Sequence, residues 1–377
     1  YNMCGHARTC VDRYLKLSNT IEKSLNKVLT PCLDDHQLSE EDFSTKGHLN
    51  HVASQIVLTC LYLARHNRPD ILWSVNNLAR NITKWSIADD KRLNRLISYL
   101  HHTKDFVQFC FVGDKVQDCL IVMYVDASYA GDLLDSKSTG GSFTYLMGPN
   151  TCVPLGWTCK KQGAVSKSST EAEVIALDMG LRMQGMPVLE LWYQVLSVML
   201  KVERPIITRT PTLNGMYDIC KNIDFVPQTL PGPSGLAELT VLEDNDAVIK
   251  MIIKGRTNKL RYVPRTHRID LDWLFTVLRE DPGLKLRYIN TTQQIADIFT
   301  KGMFTSAQFS HLRFLSGLAE SKLSQLVEDS NSALEFNNDG GVCMAASLHT
   351  SGIERSIQPH NSLSLIHISE PTRREGI

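Results

Sequence analysis

The sequence predicts an α/β protein that is preceded by a small helical segment. Apolar residues recur at helical spacing over about residues 51–103, and from about residue 106 dense β-type runs alternate with helical stretches. The 377 residues, 43% of them hydrophobic, allow a sizeable core. Forty basic and forty acidic residues give a formal net charge of zero, which excludes a chain that coats nucleic acid through charge alone.

The cysteines and the chain start indicate the class of protein. Ten cysteines are scattered without a C-x-x-C pair, which favours reduced thiols inside a cell. A zinc site at Cys4, His6 and Cys10 is disfavoured because no second ligand pair follows at useful spacing. No apolar run is long enough to cross a bilayer, and the sequence has no signal-peptide pattern. Because it starts at Tyr1 rather than at a methionine, we expect a fragment of a longer soluble product.

The first hundred residues are predicted to contain a lead-in and three helices. Residues 1–50 carry weak signals broken by Pro31 and are predicted to be poorly ordered. Within 51–105 the second helix begins at Pro69, whose missing N–H costs nothing at a helix start. The second and third helices carry apolar stripes, formed by Ile71, Leu72, Val75, Leu78 and Ile82 and by Leu93, Leu96, Ile97 and Leu100.

The next stretch predicts three antiparallel strands and two helices. The run 120–125 ends in Asp126, and the runs 140–146 and 152–158 follow at hairpin spacing around a Gly-Pro-Asn turn. Residues 167–173 then combine hydroxyls and acids before an apolar run, which marks a helix start. A further helix is expected at about 187–200.

The remaining elements complete a five-stranded pattern. Residues 202–235 are rich in proline and predict an insertion or a long surface loop. The expected elements after it are a strand at 236–243, a helix through Ile253, a helix at about 267–280, a strand at 284–289 and a helix at 292–301. Residues 319–377 lack periodicity and predict disorder, and 363–373 resemble the translation of a sequencing adapter, so we leave them out of the fold.

Four acids occupy corresponding places in this pattern. Asp126 and Asp244 end strands, whereas Glu173 and Asp297 lie in helices. Carboxylates that face one edge of a sheet form the oxygen-rich site that Mg²⁺ prefers. Each acid has a plainer alternative: Asp126 as a turn acid, Asp244 as a helix cap and Asp297 as a surface acid.

Several ordered motifs resemble the ribonuclease H domain of copia-type retrotransposon Pol polyproteins. The motifs are YVDASYAGD at 124–132, DSKSTGG at 135–141, WTCKKQ at 157–162, SSTEAE at 168–173, EDN at 243–245, RTHRI at 265–269 and QIADIFTK at 294–301. Upstream, CLYLAR at 60–65 and RPDI at 68–71 are similar to the segment that joins the reverse transcriptase to that domain. The resemblance covers about residues 50–318.

The resemblance implies a fold, an activity and a site. It implies a ribonuclease H-like fold over 106–318, with a mixed five-stranded sheet flanked by helices, after a reverse transcriptase connection-like segment at 51–105. The implied activity is cleavage of the RNA strand of an RNA–DNA hybrid through two Mg²⁺ ions, with Mn²⁺ as an alternative. The catalytic and metal-binding acids then fall on Asp126, Glu173, Asp244 and Asp297.

Glu171 and Glu173 compete for the second acidic position. Ser168 with Glu171, or Thr170 with Glu173, would each satisfy a capping box, so capping does not decide. Helical spacing continues from Glu173 to the apolar Leu177 and Leu181, which favours Glu173 as the acid that faces the sheet.

A local basic patch is predicted to contact the hybrid. It comprises Lys160, Lys161 and Lys167, with Ser168 and Ser169 as donors to phosphates, although solvated positions are a nearly equal alternative. The loop 290–294 has no histidine, which many ribonucleases H place there, and His267 is the candidate auxiliary residue.

The motifs leave alternatives and absences. The palm of the reverse transcriptase is absent, so we expect no polymerase activity; the resemblance implies a cytoplasmic virus-like particle, with the nucleus as an alternative. An inactive remnant, or a nucleic-acid-binding module that keeps the fold, is the competing interpretation. A related nuclease acting on DNA is a third.

Overall fold

The structure is a computed structural model that describes residues 1–132, 135–201, 235–255, 260 and 262–321. Contacts divide the chain into two units, 1–339 and 340–377, and every described residue belongs to the first. Residues 202–234 of the predicted insertion at 202–235, and residues 322–377 of the predicted disordered tail at 319–377, including 363–373, lie outside the described residues. Leu318–Glu320 form a strand, so the prediction of disorder is wrong for residues 319 and 320. None of the described helices is both long and apolar enough to cross a membrane.

The N-terminal third is helical, and the three helices expected within 51–103 are confirmed. Helices in this part are α1 (Cys4–Ser18), α2 (Glu40–Ser44), α3 (Ala53–His66), α4 (Leu72–Arg80) and α5 (Ile87–His102). Pro69 opens a short 3₁₀ turn just before α4, as its missing N–H allows. Ser86 and Asp89 form a capping box that starts α5.

The expectation of a poorly ordered lead-in at residues 1–50 is wrong for α1. Ala7, Cys10, Val11 and Tyr14 are buried on one face of this helix and join the core formed by α3 and α5. Their spacing is helical, but cysteine, alanine and tyrosine make a weak apolar stripe in the sequence. Cys4 and His6 instead contact the carbonyl oxygens of Phe106 and Thr59.

The central sheet has five strands and is mixed, as predicted. Its strands are β2 (Leu120–Ser128), β3 (Thr139–Gly148), β4 (Thr151–Lys161), β5 (Leu239–Glu243) and β6 (Leu284–Tyr288). The spatial order is β4-β3-β2-β5-β6, with antiparallel pairing from β4 to β2 and parallel pairing from β2 to β6. A two-stranded sheet of β1 (Phe106–Gln108) and β7 (Leu318–Glu320) lies beside it.

The helices that follow the strands differ in two places from the prediction. They are α6 (Ser169–Gly180), α7 (Met186–Met199), α8 (Asp246–Lys254), α9 (Val263–His267), α10 (Leu271–Glu280) and α11 (Ser306–Leu315). The single helix expected at 267–280 is interrupted because Arg268 adopts a left-handed conformation, φ 56°, and Asp270 caps a new start. The helix expected at 292–301 consists of 3₁₀ turns, Thr291–Gln293 and Ile295–Phe299.

The two faces of the central sheet pack against different layers. Alternate residues of β2, including Met123 and Val125, pack with α6 in one core. Phe143 and Tyr145 of β3 belong to the other core, together with α1, α3 and α5. Trp157 of β4 donates from Nε1 to the carbonyl of Ala64 at 2.9 Å. The helical segment therefore shares a core with the sheet, and the domain boundary at 105/106 stays a prediction.

Candidate active site

Three acids lie together where two neighbouring parallel strands end. Asp126 is near the end of β2, Asp244 directly follows β5, and Glu173 is early in α6. Each offers a carboxylate oxygen, and these oxygens lie within 4.8 Å of one another. The carboxyl ends of β2 and β5 meet at one edge because the strands are parallel neighbours. We call Asp126, Glu173 and Asp244 the acidic cluster.

The acidic cluster is crowded and mostly buried. Burial, and then repulsion by Asp126, raises the pKa of Glu173 to about 11. Burial also raises the pKa of Asp126, against the opposing attraction of Lys301. Among the described residues, Glu173 Oε2 is buried and finds no hydrogen-bond partner. A hard divalent cation would ligate such an oxygen and offset the mutual repulsion, so these residues fit a Mg²⁺-type ion.

Glu171 does not belong to the acidic cluster, although it lies only two positions before Glu173. Ser168 Oγ accepts from the Glu171 backbone N–H at 3.2 Å, which starts α6. Glu171 Oε2 accepts from the backbone N–H of Lys167 at 2.8 Å and from the hydroxyl of Tyr262. Its Oε1 lies 3.2 Å from His267 Nε2. Glu171 is therefore a fully buried structural acid that ties α6 to α9.

Asp297 lies beside the acidic cluster without joining it. It is buried in the Ile295–Phe299 turn, and its Oδ1 accepts from Lys301 Nζ at 2.6 Å. Burial, and then repulsion by Asp126, raises its pKa to about 7. The prediction of four converging acids is thus met by three carboxylates in one group, with the fourth held by a lysine next to Asp126.

Asp126 is held by residues that sequence reasoning did not assign. Thr300 Oγ1 donates to Asp126 Oδ2, and Gln294 Nε2 donates to the carbonyl of Val125 at 2.9 Å. Both donors come from the motif at 294–301, in which the sequence indicated a role for Asp297 alone. The hydroxyl and amide flanking an acid were the signal that could have found them.

Glu243 is a further buried carboxylate that went unassigned. Its Oε1 accepts from the backbone N–H of Asn245 at 3.1 Å, and its Oε2 has no partner among the described residues. Burial raises its pKa well above the ordinary value. β5 alternates between buried and half-buried positions, so Glu243 shares the inward face with Leu239 and Val241. That period of two was visible in the sequence.

The sequence of the chain is similar to those of retrovirus-related Pol polyproteins from transposons. The chain is 37% identical over 118 residues to the retrovirus-related Pol polyprotein from transposon RE2 of Arabidopsis thaliana, which is 31% of this chain and 8% of that protein. It is also 31% identical over 172 residues to the corresponding polyprotein from transposon TNT 1-94 of Nicotiana tabacum, 44% of this chain and 12% of that protein. These relatives support the interpretation of the chain as a fragment of a retrotransposon Pol polyprotein.

The extent of these similarities sets the scope of that assignment. The chain spans about a tenth of the length of the two polyproteins. A shorter relative, the secreted RxLR effector protein 161 of Plasmopara viticola, is 34% identical over 118 residues, 31% of this chain and 78% of that protein. No protein-family model matches the chain.

The basic patch predicted for this Pol-derived chain is only partly available to a ligand. Lys160 and Ser169 are exposed. Lys161 forms ion pairs with Asp132 and Asp135, the latter at 2.8 Å. The Lys167 ammonium lies 4.0 Å from the centre of the Tyr262 ring, and Ser168 caps α6. Nucleic-acid contact by these residues remains a prediction.

His267 does not occupy the auxiliary position suggested for it. It is not among the residues that line the cavity at the acidic cluster in the described part of the chain. Its side chain is 2% exposed and lies against Glu171. The imidazole is therefore positioned to hold the start of α6.

Proposed function

We propose that the acidic cluster is the active site of a ribonuclease H-type endonuclease that cleaves the RNA strand of an RNA–DNA hybrid. The observation that carries the proposal is the convergence of Asp126, Glu173 and Asp244 within 4.8 Å at the carboxyl edge of a mixed sheet. The strand order matches the ribonuclease H-like fold that the motifs imply. The similarity to retrovirus-related Pol polyproteins from transposons supports the same proposal.

The chain's own residues have separate tasks in this proposal. Asp126, Glu173 and Asp244 would hold divalent ions, Mg²⁺ or Mn²⁺, with Asp297 beside them. Two such ions, when bound, supply an activated water and charge stabilisation for the leaving oxygen of a phosphodiester. Thr300 fixes the orientation of the Asp126 carboxylate.

The shape of the site suits a polymeric substrate. The acidic cluster lines an open cavity of about 370 Å³, together with Asn245, Asp246, Ala247 and Lys301. An open site can admit a duplex backbone to the carboxylates. Discrimination of RNA from DNA would use 2′-hydroxyl contacts and the shape of the duplex.

The test is cleavage of a labelled RNA–DNA hybrid by the full chain with Mg²⁺, in the wild type and in Asp126→Asn. Loss of an outer-shell partner typically costs about 10–100-fold in metal affinity or activity, so loss of a ligand should cost more than that. Asp12→Asn, a change at an exposed acid of α1, is the control and should cleave normally.

Two results would overturn the proposal. One is cleavage by Asp126→Asn at the wild-type rate, and the other is no cleavage by a folded wild-type chain with either Mg²⁺ or Mn²⁺. Preferential cleavage of duplex DNA in a parallel reaction would assign the site to a DNA nuclease instead.

A further inference from the structure

Lys301 places a positive charge inside the acidic site. Its Nζ lies 2.6 Å from Asp297 Oδ1 and 3.8 Å from Asp126 Oδ1. The residue lines the same cavity as the acidic cluster, and its side chain is 38% exposed. Among the residues that line this cavity, it is the lysine that faces the carboxylates.

The backbone next to Lys301 is anchored to the site. Thr300, the preceding residue, donates to Asp126 Oδ2, and the backbone N–H of Lys301 donates to the carbonyl of Asp297 at 3.0 Å. The ammonium therefore reaches Asp297 from a fixed base at i,i+4 spacing. A surface lysine without such an anchor would leave its partner more easily.

The surrounding charges keep the ammonium protonated and paired. Burial lowers the pKa of Lys301, but attraction by Asp126 and Asp297 outweighs this effect and raises it. The same ammonium opposes the rise in the pKa of both carboxyls. Lys301 thus supplies one positive charge between Asp297 and Asp126, 2.6 Å and 3.8 Å from their nearest oxygens.

The site is therefore asymmetric toward divalent ions. Asp126, Glu173 and Asp244 each offer an oxygen within 4.8 Å of the other two, whereas Asp297 Oδ1 is already paired with the Lys301 ammonium. A divalent ion that used both Asp126 and Asp297 would meet the ammonium at close range. Like charges repel, and the repulsion is stronger in a partly buried site than in water.

We propose that Lys301 is a built-in cation that sets the order of metal binding: one divalent ion binds at the acidic cluster, and a second binds only after the ammonium leaves Asp297. This inference rests on the proposed function for its consequence in catalysis, but it concerns metal binding itself. In the wild type without nucleic acid, the chain should therefore bind one ion, and removal of the ammonium should create or strengthen a second site.

The experiment is isothermal titration calorimetry with Mn²⁺, and separately Mg²⁺, on the full chain without nucleic acid. Lys301→Met keeps the length of the side chain and removes its charge, and Lys301→Gln is a second neutral variant in case the first does not fold. Both should bind two ions, or bind the second at least tenfold more tightly than the wild type. Lys301→Arg keeps the charge and should behave as the wild type.

Lys285→Met is the matched control. Lys285 of β6 forms a comparable pair with Glu238, which directly precedes β5, and is similarly exposed, at 41%. Its removal should leave ion stoichiometry and affinity unchanged. Electron paramagnetic resonance of bound Mn²⁺ gives a second readout, because two ions at neighbouring carboxylates show spin coupling that a single ion does not.

The outcomes separate this inference from the proposed function. Identical stoichiometry and affinity in the wild type and both neutral variants, or two equally tight ions in the wild type, would overturn the role of Lys301 alone. Lys301-dependent binding without hybrid cleavage would overturn the proposed nuclease alone. Absence of ion binding in all folded variants would overturn both.

Discussion

Glu171 and Glu173 show how two identical side chains acquire different tasks. Two positions along a helix correspond to a rotation of about 200°, so the two carboxylates leave α6 on opposite sides. Glu173 meets Asp126 and Asp244, whereas Glu171 meets Lys167, Tyr262 and His267. The Glu173 carboxyl therefore lies among other acids, whereas the Glu171 carboxylate accepts hydrogen bonds from its neighbours.

Substitution of these two glutamates should separate activity from stability. Glu173→Gln should abolish hybrid cleavage and leave the free energy of unfolding unchanged or increased, because it replaces a buried carboxyl whose ionised form the neighbouring acids disfavour. Glu171→Gln should lower the free energy of unfolding by about 2–4 kcal/mol, since Glu171 is fully buried and its carboxylate accepts from the Lys167 backbone N–H and the Tyr262 hydroxyl. Urea denaturation and the cleavage assay check both. The reverse pattern would exchange their roles.

The 3₁₀ turn Ile295–Phe299 is the element that brings the last part of the site to the sheet. It carries Asp297 and leads into Thr300. It packs over β3 where Gly141 pairs with Asp126 across the strands. A Cβ on Gly141 would lie 2.7 Å from Phe299 Cβ and 3.1 Å from the carbonyl oxygen of Ala296. The glycine therefore permits the close approach that lets Thr300 reach Asp126.

Gly141→Ala tests whether this close approach matters for the site. The added methyl group should push the turn away, lower the free energy of unfolding by about 1–3 kcal/mol and weaken the Thr300 contact to Asp126. Cleavage should fall together with Mn²⁺ affinity. Gly163→Ala is the matched control, because a Cβ there would meet nothing within 4 Å. Equal activity and stability of the two variants would contradict the packing explanation.

The acidic cluster lowers the stability of the whole folded protein, because the fold buries carboxyls that repel one another. The described residues enclose the sheet on both faces, with α6 on one and the helical segment on the other. This burial raises the pKa of Glu173 to about 11 and that of Asp297 to about 7. In the metal-free protein, the folded state therefore holds protons that the unfolded chain releases near its ordinary carboxyl pKa values.

The stability of the metal-free protein should consequently depend on pH with a defined sign. Where the folded state binds more protons than the unfolded state, the free energy of unfolding falls as pH rises. These carboxyls should thus cost stability progressively from about pH 4, through the pKa of about 7 for Asp297, and beyond. Urea denaturation between pH 5 and about pH 8 in EDTA measures the slope.

Two comparisons isolate the contribution of the site from that of other acids. Glu173→Gln should show a shallower decline than the wild type, since all remaining acids are the same in both proteins. Mg²⁺ should also flatten the wild-type decline, because the ion binds the charged carboxylates of the folded state. Parallel slopes in all three measurements would show that the cluster does not set the pH dependence.

Local sequence patterns predict most of the helices and strands of this protein and part of its site. Apolar periodicity placed the helices of 51–103 and the five strands, because helices and strands bury residues with different repeats. Spacing from Glu173 to Leu177 and Leu181 selected the glutamate that lies near Asp126 and Asp244, since a helix fixes which side chains share a face. Strand-end acids indicated the metal-type site for the same local reason.

The order of α1 and the positions of Asp297 and His267 depend on contacts between distant segments, which local patterns do not reveal. The weak stripe of α1 became ordered by packing against α3 and α5. Asp297 lies outside the acidic cluster, and His267 lies against Glu171; neither position follows from local spacing. The interaction energy between two charges falls with their distance in space, not with their separation along the chain. The partners of a charged side chain are therefore fixed only once the sheet has brought the segments together.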